Sequence, residues 1–108
     1  YRDCLKCLRP GGILVQQSES PLFHLELIQS MYRVMGRAGF AHRQTLFFPQ
    51  FIYPSGWWSG TMASAMPFEP FREQAAVAKP FTTEYYSAGI HRAALTAPVF
   101  FERAIAGL

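Results

Sequence analysis

The stretch Leu8-Arg-Pro-Gly-Gly-Ile-Leu-Val-Gln-Gln-Ser-Glu-Ser-Pro21 reads as the end of one helix, a strand and the opening of a second helix. Ahead of it, Leu5 and Leu8 share one side of a helix over Tyr1 to Leu8, which Pro10 and Gly11-Gly12 terminate. Ile13-Leu14-Val15 is short and aliphatic, with glycine on one side and polar residues on the other. That pattern predicts a parallel strand buried on both faces. Ser20 then offers an N-cap and Pro21 a first helical residue, where a missing N–H leaves no bond unmade. This order predicts an α/β fold with Gln17-Ser-Glu19 at a loop mouth beyond the strand, where open α/β sheets bind ligands.

Outward from this stretch, Leu25, Ile28, Tyr32 and Met35 fall on one helical stripe, and Gly36 to Gly39 with Arg33 and Arg37 supply its C-terminal stop. His42 to Phe48 and Trp57 to Ala65 are rich in strand-forming residues and flank the Pro54-Ser55-Gly56 turn, so an antiparallel hairpin is expected. Met66 to Pro80 carries Pro67, Pro70 and Pro80 without a clear period, the mark of a surface loop with one helical turn near Arg72 to Val77. Thr82 to Leu108 reads as helix in two pieces split by Pro98.

At 108 residues the chain makes one domain at most, and 50% hydrophobic with 16% aromatic residues supplies a core and argues against disorder. The charged fraction of 16% is below the roughly 25% usual for soluble domains, so part of the surface is expected to be covered by further chain or a partner. The net charge is +3, but the lysines and arginines are scattered singly, and no basic stripe for nucleic acid forms. No apolar run reaches the ~20 residues of a membrane span and no leader is visible, so the expectation is a soluble, cytoplasmic protein that binds neither nucleic acid nor membrane.

Several motif-like features read as structural. Cys4 and Cys7 lack a second ligand pair and share a helix face. His24, His42 and His91 are too scattered for a metal site, and His91 is expected to pack or hydrogen-bond within the tail. Ser55 lacks the strand-to-helix setting of a nucleophile elbow, and Gly11-Gly12 is a turn rather than a phosphate cradle.

What remains is a set of amide, carboxylate, phenol and indole groups at two loop mouths, suited to a small organic cation: Gln17, Glu19, Tyr53 and Trp58. A glutamine carbonyl accepts from an ammonium, and an indole face adds cation–π attraction of about 0.5 to 2 kcal/mol. Glu19 suits either a distal ammonium or the dipole of the helix that follows. Gln16 faces away by strand alternation, and Trp57 points oppositely to Trp58, toward core or interface.

Gln17-Ser-Glu19, the helix after it and Tyr53-Pro-Ser-Gly56 together resemble the polyamine aminopropyltransferases of the spermidine synthase family. Tyr85-Tyr86, His91-Arg-Ala-Ala94 and Pro98 resemble that family's tail. The resemblance implies the C-terminal part of a Rossmann-like class I methyltransferase-type fold, with residues 1–108 forming the C-terminal portion of a catalytic domain whose cofactor-binding part lies elsewhere. It implies transfer of an aminopropyl group from decarboxylated S-adenosylmethionine, a co-substrate, to putrescine, giving spermidine and methylthioadenosine, with no further cofactor or metal. Gln17, Tyr53 and Trp58 match polyamine-pocket positions, the catalytic aspartate would precede Tyr1, and a homo-oligomer is implied for the whole enzyme. Where the family usually has Pro-Thr before this turn, the chain has Phe51-Ile52. The alternatives are a non-catalytic remnant or interaction module, or part of a related S-adenosylmethionine-dependent transferase with another acceptor.

Overall fold

The structure is a computed structural model describing residues 1–108. Helix α1 (Arg2–Cys7) leads to strand β1 (Leu14–Gln17), helix α2 (Leu25–Ala38), and the strands β2 (His42–Pro49) and β3 (Trp57–Ser64). Three short helices follow: α3 (Glu73–Val77), α4 (Ala88–Leu95) and α5 (Val99–Ile105). The sheet has the order β1-β3-β2, so the hairpin's second strand lies in the middle. Both pairings are antiparallel, running from His42↔Ser64 to Pro49↔Trp57 on one side and from Leu14↔Ala63 to Gln17↔Gly60 on the other.

The expected hairpin is present, but the first strand departs from its expected setting. β1 pairs antiparallel, not parallel, and its other edge is free in the sheet. Ile13 and Val15 are exposed, Val15 at 62%, because they stand on the sheet face opposite the one that Leu14 and Ala63 turn to α2. The aliphatic run identifies a strand but not the direction of the neighbour it meets, because β3 reaches β1 only through the long return of the hairpin.

Helix α2 buries Ile28, Met31, Tyr32 and Met35 on the stripe that the spacing predicts. Gly39, at φ 108, caps its C-terminus in the left-handed region, and the Phe40 N–H reaches back to the Met35 carbonyl at 3.1 Å. Its start differs from expectation. Ser20 closes a tight turn, its carbonyl accepting from the His24 N–H at 2.9 Å and its hydroxyl accepting from the Leu22 N–H at 3.3 Å, and the helix begins only at Leu25. The serine caps a turn rather than the helix because its hydroxyl is also bonded across to Ser55.

The core lies between α2, the sheet face bearing Phe47 and Ala63, and α5, whose Phe101 packs edge-on against Phe47 at 5.0 Å and Tyr32 at 6.5 Å. Trp57 stacks on Phe47 at 5.2 Å, on the core side as expected. The helical turn near Arg72 to Val77 forms as α3, and Pro98 separates α4 from α5. Thr82 to Tyr86 are not helical, because the Ser87 hydroxyl caps α4 by accepting from the Ile90 N–H at 3.1 Å. No helix is long and apolar enough to cross a membrane.

Candidate functional site

Two loops meet at one end of the sheet: Ser18 to Pro21 after β1, and Gln50 to Gly56 between β2 and β3. The second is a tight closure in which the Gln50 N–H donates to the Gly56 carbonyl at 2.9 Å and the Gly56 N–H to the Tyr53 carbonyl at 3.1 Å. Ser55 sits at φ 75 and Glu19 at φ 67, the only non-glycine residues in the left-handed region. Such conformations cost of order 1–3 kcal/mol and persist where surrounding bonds hold them, often at functional sites. The Ser55 hydroxyl donates to the Trp57 carbonyl at 2.9 Å, so the Ser20 hydroxyl supplies the proton of the 2.8 Å bond that joins the loops.

Beneath this junction lies a string of buried hydroxyls. Tyr32 and Thr45 meet at 2.9 Å, Thr45 and its cross-strand partner Thr61 at 2.9 Å, Thr61 and Ser18 at 3.0 Å, and Ser18 and Ser59 at 2.9 Å. Ser59 ends the string by donating to the Glu19 carbonyl at 2.8 Å. Burial raises the Tyr32 phenol pKa above its ordinary value of 10.0. None of these hydroxyls was singled out from sequence. The available signal was the period-two spacing of Ser59 and Thr61 on β3, opposite Phe47 and Thr45.

The predicted site residues fall into two groups that share Glu19. Gln17, the last residue of β1, and Glu19 line a cavity of about 250 Å³ against Leu27, Ile28 and Met31 of α2. Gln16 also lines it and accepts from the Tyr1 phenol at 2.6 Å. On the other side of the junction, the exposed Tyr53 ring lies 4.5 Å from Trp58 at an interplanar angle of 35°. Trp58 is 6% exposed, its indole N–H is buried without a partner, and His24 meets it edge-on at 6.4 Å. The Glu19 carboxylate lies 3.8 Å from the His24 Nδ1, which brings a histidine into the site that its sequence position did not suggest.

Tyr53 and Trp58 therefore do not line the cavity of Gln17 and Glu19. What the arrangement offers chemically is acceptors: an amide carbonyl, a carboxylate, a phenol oxygen and an aromatic face. Asp3, on α1, does not line the cavity; Lys6 engages it at 3.0 Å. No cluster of His, Cys, Asp or Glu with metal-binding geometry is present, and Cys4 and Cys7 are free and exposed. A larger hollow of about 660 Å³ lies in the tail region, bordered by Glu69, Arg72, Lys79 and Tyr86. His91 there stacks on Phe71 at 3.9 Å and bonds to the Tyr86 phenol at 2.9 Å, the packing role expected of it.

The fold matches solved structures over all or most of the chain. A spermidine synthase from Thermotoga maritima aligns with a TM-score of 0.81 at 22% identity, covering 100% of this chain and 39% of that one. A spermidine synthase in complex with the transition-state analogue AdoDATO aligns with a TM-score of 0.72 at 22% identity, over 90% of this chain and 34% of that one. The architecture is thus that of part of a Rossmann-like, methyltransferase-type α/β fold, the antiparallel hairpin included. The family model for the spermine/spermidine synthase domain matches residues 1–73. Similar curated proteins are the polyamine aminopropyltransferases of Methylococcus capsulatus, 64% identical over 97% of this chain and 37% of that protein, and of Thioalkalivibrio sulfidiphilus, 52% identical over 99% and 38%. The chain belongs to the spermine/spermidine synthase family, and it spans a little over a third of the length of those relatives. The likeness to the two aminopropyltransferases extends through the tail, beyond residue 73 where the family match ends.

Proposed function

We propose that this chain forms the C-terminal portion of a polyamine aminopropyltransferase catalytic domain and supplies part of its amine pocket. The single observation that carries the reading is the junction of the two loops at one end of the sheet, with Gln17 on one side of it, Tyr53 and Trp58 on the other, and Glu19 shared by both. In the reaction an amine nitrogen of putrescine attacks the aminopropyl carbon of decarboxylated S-adenosylmethionine. A C–N bond forms as the C–S bond breaks, methylthioadenosine leaves, and the nitrogen's extra proton passes to a carboxylate.

Gln17, Glu19 and Tyr53 serve to bind and orient the diamine, with the Glu19 carboxylate facing an ammonium and Tyr53 covering its methylenes. The base is an aspartate, and with the binding loop for the co-substrate it belongs to a segment preceding Tyr1. That segment also provides β1 with the parallel neighbour the sequence pattern calls for. The reading extends to a cytoplasmic enzyme, homo-oligomeric when whole.

The test is an assay of the longer protein carrying this segment, supplied with decarboxylated S-adenosylmethionine and putrescine, with methylthioadenosine measured by mass spectrometry. Product is expected, with Gln17→Ala and Tyr53→Ala each raising the KM for putrescine. A folded protein that releases no methylthioadenosine overturns the proposal.

A further inference from the structure

We propose that Tyr32, Thr45, Thr61, Ser18 and Ser59 are positioning residues that fix the pose of Glu19 through a one-way string of hydroxyl hydrogen bonds, an inference that rests on the reading of Glu19 as a partner of the amine.

The direction of the string follows from its proton count. Each hydroxyl carries one proton to donate. Ser59 commits its proton to the Glu19 carbonyl, so Ser18 donates in the bond between Ser18 and Ser59. Thr61 donates to Ser18, so its own oxygen accepts from Thr45. Thr45 then has no proton left for Tyr32, and the phenol donates to it. Every O–H dipole therefore points from α2 through β2 and β3 toward the Glu19 carbonyl, an arrangement in which successive bonds strengthen one another.

Its end point is the place where order is needed. Glu19 holds a left-handed backbone that a side-chain-bearing residue rarely adopts. Two bonds keep it there: Ser59 donates to its carbonyl at 2.8 Å, and the Ser18 N–H before it donates to the Ser59 carbonyl at 2.9 Å. With the carbonyl bonded to Ser59, the half-exposed carboxylate reaches the His24 side of the junction at 3.8 Å. The string members are all buried, Ser59 and Thr61 completely, so none of them can touch the amine. Their effect on it passes through Glu19.

The experiment uses the longer aminopropyltransferase carrying this segment. Thr61→Val cuts the string at its middle with little change of shape, and Thr61→Ser keeps the hydroxyl while trimming the methyl. Thr61→Val is expected to raise the KM for putrescine about fivefold with kcat within about twofold, the scale of one lost hydrogen bond. Thr61→Ser is expected to restore it. Thr45→Val, one link farther from Glu19, should act in the same direction. As a readout independent of catalysis, the His24 ring NMR shifts, which sense the Glu19 carboxylate, should move in Thr61→Val and return in Thr61→Ser. If Thr61→Val and Thr61→Ser lose stability alike while the KM and the His24 shifts stay at their wild-type values, the string is packing and the proposal is overturned. Absence of methylthioadenosine from the unmutated enzyme would instead strike the functional reading, and the His24 shifts would still decide the positioning role.

Discussion

The Ser20 hydroxyl donates to the Ser55 hydroxyl at 2.8 Å, and this bond fastens together two loops that each contain a left-handed non-glycine residue, Glu19 in one and Ser55 in the other. Ser55 also donates to the Trp57 carbonyl and accepts from the Trp57 N–H at 3.3 Å, so one side chain organises the turn and clamps its neighbour. Ser55→Ala should lower stability by about 1–2 kcal/mol, because the backbone strain stays while the bonds are lost. Ser55→Gly should lose less, since glycine relieves the strain at φ 75. Chemical denaturation of the two variants checks the order, and equal losses would show that strain at Ser55 is negligible.

Tyr53 offers two separable features, a ring 4.5 Å from Trp58 and a phenol oxygen. Tyr53→Phe keeps the ring contact and removes the oxygen, whereas Tyr53→Ala removes both and uncovers the indole. We expect Tyr53→Ala to weaken putrescine binding by roughly tenfold or more and to shift the Trp58 fluorescence, and Tyr53→Phe to leave the fluorescence near wild type with a smaller loss of affinity. Calorimetry with parallel emission spectra reads both. Equal affinity losses in the two variants would assign the whole effect to the phenol oxygen.

Gly36 lies inside α2, where alanine would ordinarily be preferred by about 1 kcal/mol. Here a Cβ would collide with the Arg43 guanidinium, which donates to the Tyr32 carbonyl at 3.1 Å and to the Leu108 carbonyl at 3.0 Å. The guanidinium thus ties α2 and Leu108 to β2. Gly36→Ala should therefore destabilise the protein by about 1–2 kcal/mol, because charged hydrogen bonds worth more than the helix propensity are displaced. A thermal melt showing stabilisation would mean that Arg43 relocates without loss.

The parts of the fold that were legible in sequence are those written in local pattern. The stripe of Ile28, Tyr32 and Met35, the Pro54-Ser55-Gly56 turn and the break at Pro98 each depend on neighbours a few residues away. What escaped depends on partners brought together by topology. Ser18 and Ser59 are 41 positions apart, so nothing near Ser18 announces that its hydroxyl will be bonded. Ser20 resembles a helix cap because the competing partner, Ser55, is 35 positions away. The site was half legible for the same reason. Its polar and aromatic types stand out in two loops, but His24 enters it only because α2 begins later than Pro21 suggests, and Trp58 is buried beneath Tyr53 rather than open.

β1 has a free edge, and the apolar side chains of Ile13 and Val15 beside it are exposed, as are Leu27 and Val34 of α2. An apolar edge with unpaired backbone groups is a template for association. The 108-residue chain by itself should aggregate at micromolar concentration, and Val15→Lys should suppress this while leaving the far-ultraviolet circular dichroism unchanged. Light scattering of the two proteins side by side is the check, with equal aggregation pointing to a surface other than β1.

Alkaline pH offers a test of the buried string. Burial places the Tyr32 pKa in the folded protein above its ordinary value of 10.0, so the folded state holds this proton more tightly than the unfolded chain does. The associated stability is complete below pH of about 10, where the phenol is protonated in both states, and is lost as pH rises from there through the folded value. The Tyr1 phenol, also raised by burial, adds in the same direction. Loss of the Tyr32 proton would also remove the donor that begins the string to Thr45. Unfolding free energy measured by urea should thus be flat on this account from about pH 8 to 9.5 and fall above about 10, and Tyr32→Phe should flatten the alkaline decline while starting from a lower stability. An undiminished decline in Tyr32→Phe would place the alkaline sensitivity at other groups and leave Tyr32 ionising as freely in the folded protein as in the unfolded chain.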